Sequence, residues 1–189
     1  MNANHLQGRM IVPEQPHWPG MRHLTIVFIT AFLLSAGTIR ALEADRHEPI
    51  NIQADSALVN EKEGTSIYTG DVTIDQGTLH IAAHQVEIVT DGERVIQIIA
   101  TAEADSEALA HYEQKPGPED ATVYADARKI TYFVQEERLH LAGSASLRQN
   151  QDKFSGELLY YDVNEGTVNL TSSGEEGDRV KMTINPRKE

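Results

Sequence analysis

Between residues 67 and 88 the chain reads IYTGDVTIDQGTLHIAAHQVEI: apolar and polar residues alternate, a glycine interrupts, and the alternation resumes. Successive side chains of a strand point to opposite faces, so a period of two marks a half-buried strand. The same grammar runs from Pro49 to the end of the chain, with no long amphipathic helix. It predicts strands over 51–59, 66–75, 78–90, from Arg94 onward, 108–114, 121–134, 138–149, 153–163, 167–172 and 179–184. The stretches NEKEG, QG, DGE, KPGPED, QEE, NQD and NEG separate them as turns. Strands punctuated at such short spacing point to an all-β sandwich, barrel or roll. The alanine-rich, acidic stretch Ile99–Ala110 leaves room for a helical turn.

The period also assigns an inward face. It takes Ile50, Ile52 and Ala54 on the first run, then Val72 and Ile74, then Leu79 and Ile81 with Val86 and Ile88 further on. Later it takes Val123, Ile130, Tyr132, Val134, Leu139, Leu141, Leu147, Phe154 and Tyr161. Ala83, Ala145, Leu159, Val168 and Leu170 share that parity. The opposite parity carries Asn51, Gln53, Thr73, Asp75, His80, Thr131, His140, Ser144 and Ser146, so one face is apolar and the other wet. The pattern fits both a closed core and a ligand-holding groove. In the second case the eighteen residues from Ile50 to Tyr161 named first would line it.

The chain also repeats itself. With Gly70 over Gly143, GDVTIDQ lies over GSASLRQ, and upstream IQAD (52–55) lies over VYAD (123–126), a unit of roughly 72 residues occurring twice. Within it, the order apolar, any, small, polar occurs at Ile52–Asp55, Ile81–His84, Val123–Asp126 and Phe154–Glu157. A small residue on the inward face is expected where the sheet bends or the opposite sheet comes close.

Charge narrows the partners. The formal net charge is −13, and residues 45–189 carry 27 acidic against 13 basic side chains. That surface repels phosphate backbones and anionic membranes, so nucleic acid is not expected as a partner and a lipid would be held by apolar contacts. The chain has no cysteine, which excludes disulfides, thiolate metal sites, a cysteine nucleophile and lipidation through a lipobox. Near the start, Arg22 and His23 precede an apolar run from Leu24 to Leu34, followed by Ser35, Ala36 and Gly37. A membrane span takes about 20 apolar residues. The run therefore reads as a secretory signal within a 1–44 leader, cleaved near Ala41, with one exported domain over 45–189.

Candidate chemistry is sparse. His80 and His84 share a strand and His140 could approach them, but a metal site needs three or four converging ligands, and His80 and His140 carry outward parity. No metal or other cofactor is expected. His111, inside an apolar strand, is expected as a wall residue. Asp55 and Asp126 match in the repeat, yet His84 and Glu157 stand at the other two copies, which favours a surface polar slot over a catalytic pair. With no G-x-S-x-G, P-loop or dinucleotide fingerprint, an enzyme is not expected.

The order PINIQAD (49–55), YTGDVTIDQG (68–77), ADARKITY (125–132) and LAGSASL (141–147) resembles the OstA-like (LptA) family of periplasmic lipopolysaccharide-transport proteins, over residues 48–185. The resemblance implies an open antiparallel β-jellyroll, a folded V of about sixteen short strands. The long predicted runs would then break in two. It implies a groove that shields the acyl chains of lipopolysaccharide, and head-to-tail stacking of copies. It also implies that the first edge, around Ile50–Leu58, docks an LptC-like inner-membrane partner and the last, Arg179–Ile184, an LptD-like outer-membrane partner. Two rivals are a membrane-anchored LptC-like subunit, disfavoured by the short apolar run, and an exported carbohydrate-binding or adhesive β-module. The second would want exposed aromatics, which are only 6% of the chain and often inward in parity.

Overall fold

A computed structural model describes residues 45–174 and 179–186. The expected leader and signal segment lies outside the described residues. The strands in chain order are β1 (Asn51–Gln53), β2 (Ser56–Asn60), β3 (Thr65–Gln76), β4 (Leu79–Asp91), β5 (Arg94–Thr101), β6 (Ala110–Gln114), β7 (Val123–Ala127), β8 (Lys129–Phe133), β9 (Arg138–Gln149), β10 (Asp152–Asp162), β11 (Thr167–Thr171) and β12 (Lys181–Thr183). The run 51–59 does break, at Ala54 and Asp55, and 121–134 breaks at Arg128. The option of a helical turn before β6 is not taken, and residues 102–109 are irregular.

All pairings are antiparallel, and β3, β4, β9 and β10 are long enough to serve two sets of neighbours. One leaf runs β2–β3–β4–β5–β8–β9–β10–β11, using the β3 and β9 residues before their bends and the β4 and β10 residues after theirs. The other leaf runs β1–β3–β4–β6–β7–β9–β10–β12 through the remaining halves of the long strands. Counting each half of a long strand separately gives sixteen short segments, eight to a leaf. Among the described residues β1 and β2 end the two leaves on one side, β11 and β12 on the other, and no pairing joins the two ends.

The bends have an identifiable cause. Thr69 pairs with Gln85 and Val72 with Ala83, so Gly70 and Asp71 together oppose His84. In the same way Gly143 and Ser144 oppose Glu157. Two residues against one is a β-bulge, which bends and twists the ladder. Gly70 and Asp71 have φ of 85° and 40°, Gly143 and Ser144 of 78° and 51°. A Cβ on Gly143 would stand 2.7 Å from the Arg128 Cβ, and one on Gly70 would run into the Asp55 carboxylate. Opposite each bulge the inward parity shifts by one, from Ile81 to Val86 on β4 and from Phe154 to Leu159 on β10.

The repeat is now a structural fact. β3 and β9 have equal length and are offset by 73 residues at both ends, as are their bulges. Strands β1–β6 thus form one copy and β7–β12 the other. The alignment of Asp55 with Asp126 is corrected, however. The Asp55 amide donates to the Gly70 carbonyl (3.1 Å) and the Arg128 amide to the Gly143 carbonyl (2.8 Å), so Arg128 is the counterpart of Asp55. The recurring Ala-Asp misled by two residues, because the role is a backbone hydrogen bond at the bend and does not need a carboxylate.

Candidate functional site

The inner faces of the leaves meet in one apolar interior. Of the eighteen residues expected inward, fourteen are buried at its centre. Ile50, Ile52 and Phe154 are partly buried against it. Ala54 is the exception: it lies in the break between β1 and β2, outside the alternating strand, and is exposed. His111 is a second correction. Strand β6 buries Ala110, Tyr112 and Gln114, which turns His111 to the outer face. The A-H-Y-E-Q alternation already contained this phase, with Tyr112 as its heaviest apolar residue. Ala125 is inward as the small residue of the Val123–Asp126 motif, and Ile98, Ala100 and Ala127 also belong to the interior, the alanines carrying little hydrophobic signal of their own.

Tyr112 from one leaf and Tyr132 from the other meet edge to face, ring centroids 5.5 Å apart, a favoured aromatic geometry. Burial raises the pKa of both phenols, and raises that of Tyr161 to about 12, so all three remain neutral hydroxyls at any ordinary pH. The Tyr112 hydroxyl donates to Gln114 Oε1 (2.5 Å), and Gln114 Nε2 donates to the Asp45 carboxylate (3.0 Å). Buried polar groups need such partners. At the Asp45 end the interior holds a cavity of only about 10 Å³, lined among others by Arg46, Leu79, Ile98, Tyr132 and Val134. Outside it lies a larger hollow of about 360 Å³ against Arg46, His47, Ile50, Gln76, Val95 and Val134.

The outer face carries the polar candidates. His80 Nδ1 lies 2.7 Å from Asp75 Oδ1, and His111 Nδ1 lies 2.8 Å from Asp126 Oδ1. The hydrogen bond with Asp126 raises the His111 pKa against the opposing effect of partial burial. His140 sits between the rings of Phe133 (4.7 Å) and Tyr160 (4.5 Å), and burial lowers its pKa. His84 is exposed at the bend. Among the described residues no group of three or more His, Asp or Glu side chains is placed to hold a metal ion, and Asp55 and Asp126 occupy different kinds of position, one at a bend and one within β7.

Both ends of the leaves expose large apolar side chains. Leu58 (68%) and Val59 (56%) do so on β2, and Val180 (44%), Met182 (52%) and Ile184 (63%) do so around β12. These are unpaired edges, where an added strand would find both hydrogen-bonding groups and apolar surface.

Comparison with known proteins gives a consistent set of likenesses. Residues 51–167 match the family described as LptA/(LptD N-terminal domain) LPS transport protein. The chain is 32% identical over 170 residues to the lipopolysaccharide export system protein LptH of Pseudomonas aeruginosa, covering 87% of this chain and 95% of that one. It is 27% identical over 161 residues to the lipopolysaccharide export system protein LptA of Haemophilus influenzae, covering 85% and 91%. The crystal structure of LptH, described as the LptA homologous periplasmic component of the lipopolysaccharide transport device of P. aeruginosa, superposes with a TM-score of 0.65 at 31% identity, over 75% of this chain and 99% of that one.

Proposed function

Because this chain belongs to the LptA/(LptD N-terminal domain) family of lipopolysaccharide transport proteins, we propose that it carries lipopolysaccharide across the periplasm by sheltering the acyl chains between its two leaves. The observation that carries this reading is the inner face itself, apolar from the β1/β2 edge to the β11/β12 edge. Each methylene kept from water is worth about 0.8 kcal/mol, so a long acyl chain crosses an aqueous space only inside such a lining. The acidic surface has no strong pull on an anionic headgroup, which leaves apolar contact as the holding force. Binding and shielding require no bond-breaking residues.

The β1/β2 edge is the docking place for an LptC-like inner-membrane partner and the β11/β12 edge for an LptD-like outer-membrane partner, and the same two edges join copies of the chain head to tail. The internal repeat supports this stacking. Where the first copy meets the second, Ile98 pairs with Tyr132 and Tyr112 with Ala125. Val168 stands opposite Tyr161 as Ile98 stands opposite Ile88, and Val59 opposite Ser66 as Tyr132 opposite Leu139. Met182 stands opposite Phe154 as Tyr112 opposite Ile81, and Ile52 opposite Ile74 as Ala125 opposite Leu147. A second molecule joined by the same rule pairs Val168 with Val59 and Met182 with Ile52, apolar against apolar at both leaves.

The deciding experiment is photocrosslinking in cells from Tyr132, on the inner face, and from Thr131, its outward neighbour. A lipopolysaccharide adduct at Tyr132 and none at Thr131 is expected. A folded, exported protein with no adduct at Tyr132 would reduce the interior to a plain core.

A further inference from the structure

At the Asp45 end, among the described residues, the interior has no room for an acyl chain. Ligand pockets run to about 300–1,000 Å³, whereas the space behind Asp45 and Arg46 is about 10 Å³, and the Tyr112 and Tyr132 rings meet between the leaves, centroids 5.5 Å apart. If acyl chains are carried here, the leaves must part. The bulges put the bend of the long strands on one side. The opposite rim is formed by Gln76, Thr78 and Gln114 on one leaf and by Val95, Val134 and Glu137 on the other. A short N-terminal segment crosses this rim.

Asp45, only 6% exposed, accepts from the Thr78 amide (3.0 Å), the Thr78 hydroxyl (2.6 Å) and Gln114 Nε2 (3.0 Å), all on the leaf that contains β6. The next residue grips the other leaf: Arg46 Nη2 donates to the Val134 carbonyl (2.7 Å) and to Glu137 Oε1 (2.6 Å). The Glu48 amide closes a turn onto the Asp45 carbonyl (3.0 Å), and Gln76 Nε2 donates to the Glu48 carbonyl (3.0 Å). Two adjacent residues thus tie two leaves together at their free rim. Arg46 lines both the 10 Å³ cavity and the 360 Å³ hollow outside, together with Gln76, Val95 and Val134.

We propose that the Asp45–Glu48 segment is a latch across the rim between the leaves, and that its release lets acyl chains pass sideways from the outer hollow into the interior. The inference rests on the lipid-carrying reading above and adds its regulation. The latch is built to let go. Arg46 Nε and Glu137 Oε2 are buried without a hydrogen-bond partner, so part of the cost of breaking the ion pair returns when water reaches those atoms. An acyl chain in the hollow meets Ile50, Val95 and Val134 beside the latch, so the apolar contact it gains on moving inward begins where the latch lies.

Since the chain has no cysteine, spin labels can be placed at Glu136→Cys and Gln151→Cys, exposed turn positions at the ends of β9 on opposite leaves. In the exported protein with its latch intact, one short inter-label distance is expected. Asp45→Ala/Arg46→Ala should lengthen and broaden it, and should speed uptake of an environment-sensitive fluorescent fatty acid by about tenfold, the scale of one lost charge-assisted hydrogen bond. If the double variant does not fold, Glu137→Gln, which removes the charge and keeps the size, should shift both readouts in the same direction. Unchanged distance and uptake in a folded variant would overturn the latch. The photocrosslink at Tyr132 separates the two ideas. An adduct with unchanged distance and uptake sinks the latch alone, and no adduct in either protein sinks the lipid-carrying reading.

Discussion

Gly143 shows how much one residue decides. Its φ of 78° lies in the left-handed region, and a methyl there would press on the Arg128 side chain. Gly143→Ala should therefore cost about 1–3 kcal/mol, visible as a lower denaturant midpoint. The same change at Gly166, whose added Cβ would meet nothing, should cost only the conformational part of that penalty. His111 supports a second test. Its pKa is raised mainly by the hydrogen bond with Asp126, so the charged form is favoured in the fold. That contact adds stability which is full below the ordinary histidine value of about 6.5 and fades as the pH climbs through the folded pKa. Asp126→Asn should lower the His111 titration midpoint followed by NMR and flatten stability across that window.

At the scale of elements, the edges carry the argument. Among the described residues, strands β2 and β12 each pair on one side only, with β3 and β10, and leave Val59 and Met182 exposed, a pattern that soluble proteins usually blunt. In the proposed stack a second copy covers both. Val59→Cys/Val168→Cys should give a ladder of disulfide-linked multimers on oxidation, because directly paired β residues lie within disulfide reach. Leu58→Cys/Val168→Cys should not, because neighbouring side chains on a strand point to opposite faces. Equal crosslinking of the two pairs would reject the register. The elements were largely legible in the sequence. Strict alternation in 79–83 and again in 86–88 marked both the strand and the shift of face between them, and Gly70 and Gly143 marked the bends. Strand β6 was legible and was misread at His111, because a histidine among apolar residues looks inward unless Tyr112 sets the phase.

At the scale of the whole molecule, duplication is the governing fact. Two copies of a six-strand unit, offset by 73 residues in β3 and β9, meet along β5–β8 and β6–β7. Their outer edges repeat the halves of that junction. A unit built this way leaves its own ends open among the described residues, which is what supports the proposed head-to-tail stacking. The latch belongs to this scale too, since Asp45 and Arg46 have no meaning until two leaves exist to be joined.

The amino-acid order alone determined the class of fold, the inward face, the repeat and the bends, because alternation and glycine placement are local consequences of strand geometry and allowed backbone angles. It could not determine how tightly the leaves close, that Arg128 rather than Asp126 answers Asp55, or that a buried aspartate and an arginine at 45 and 46 tie the rim. Those depend on which distant segments come to lie side by side. Thr78, Gln114, Val134 and Glu137 are scattered along the chain, and only the bent, two-leaved sheet brings them to one place.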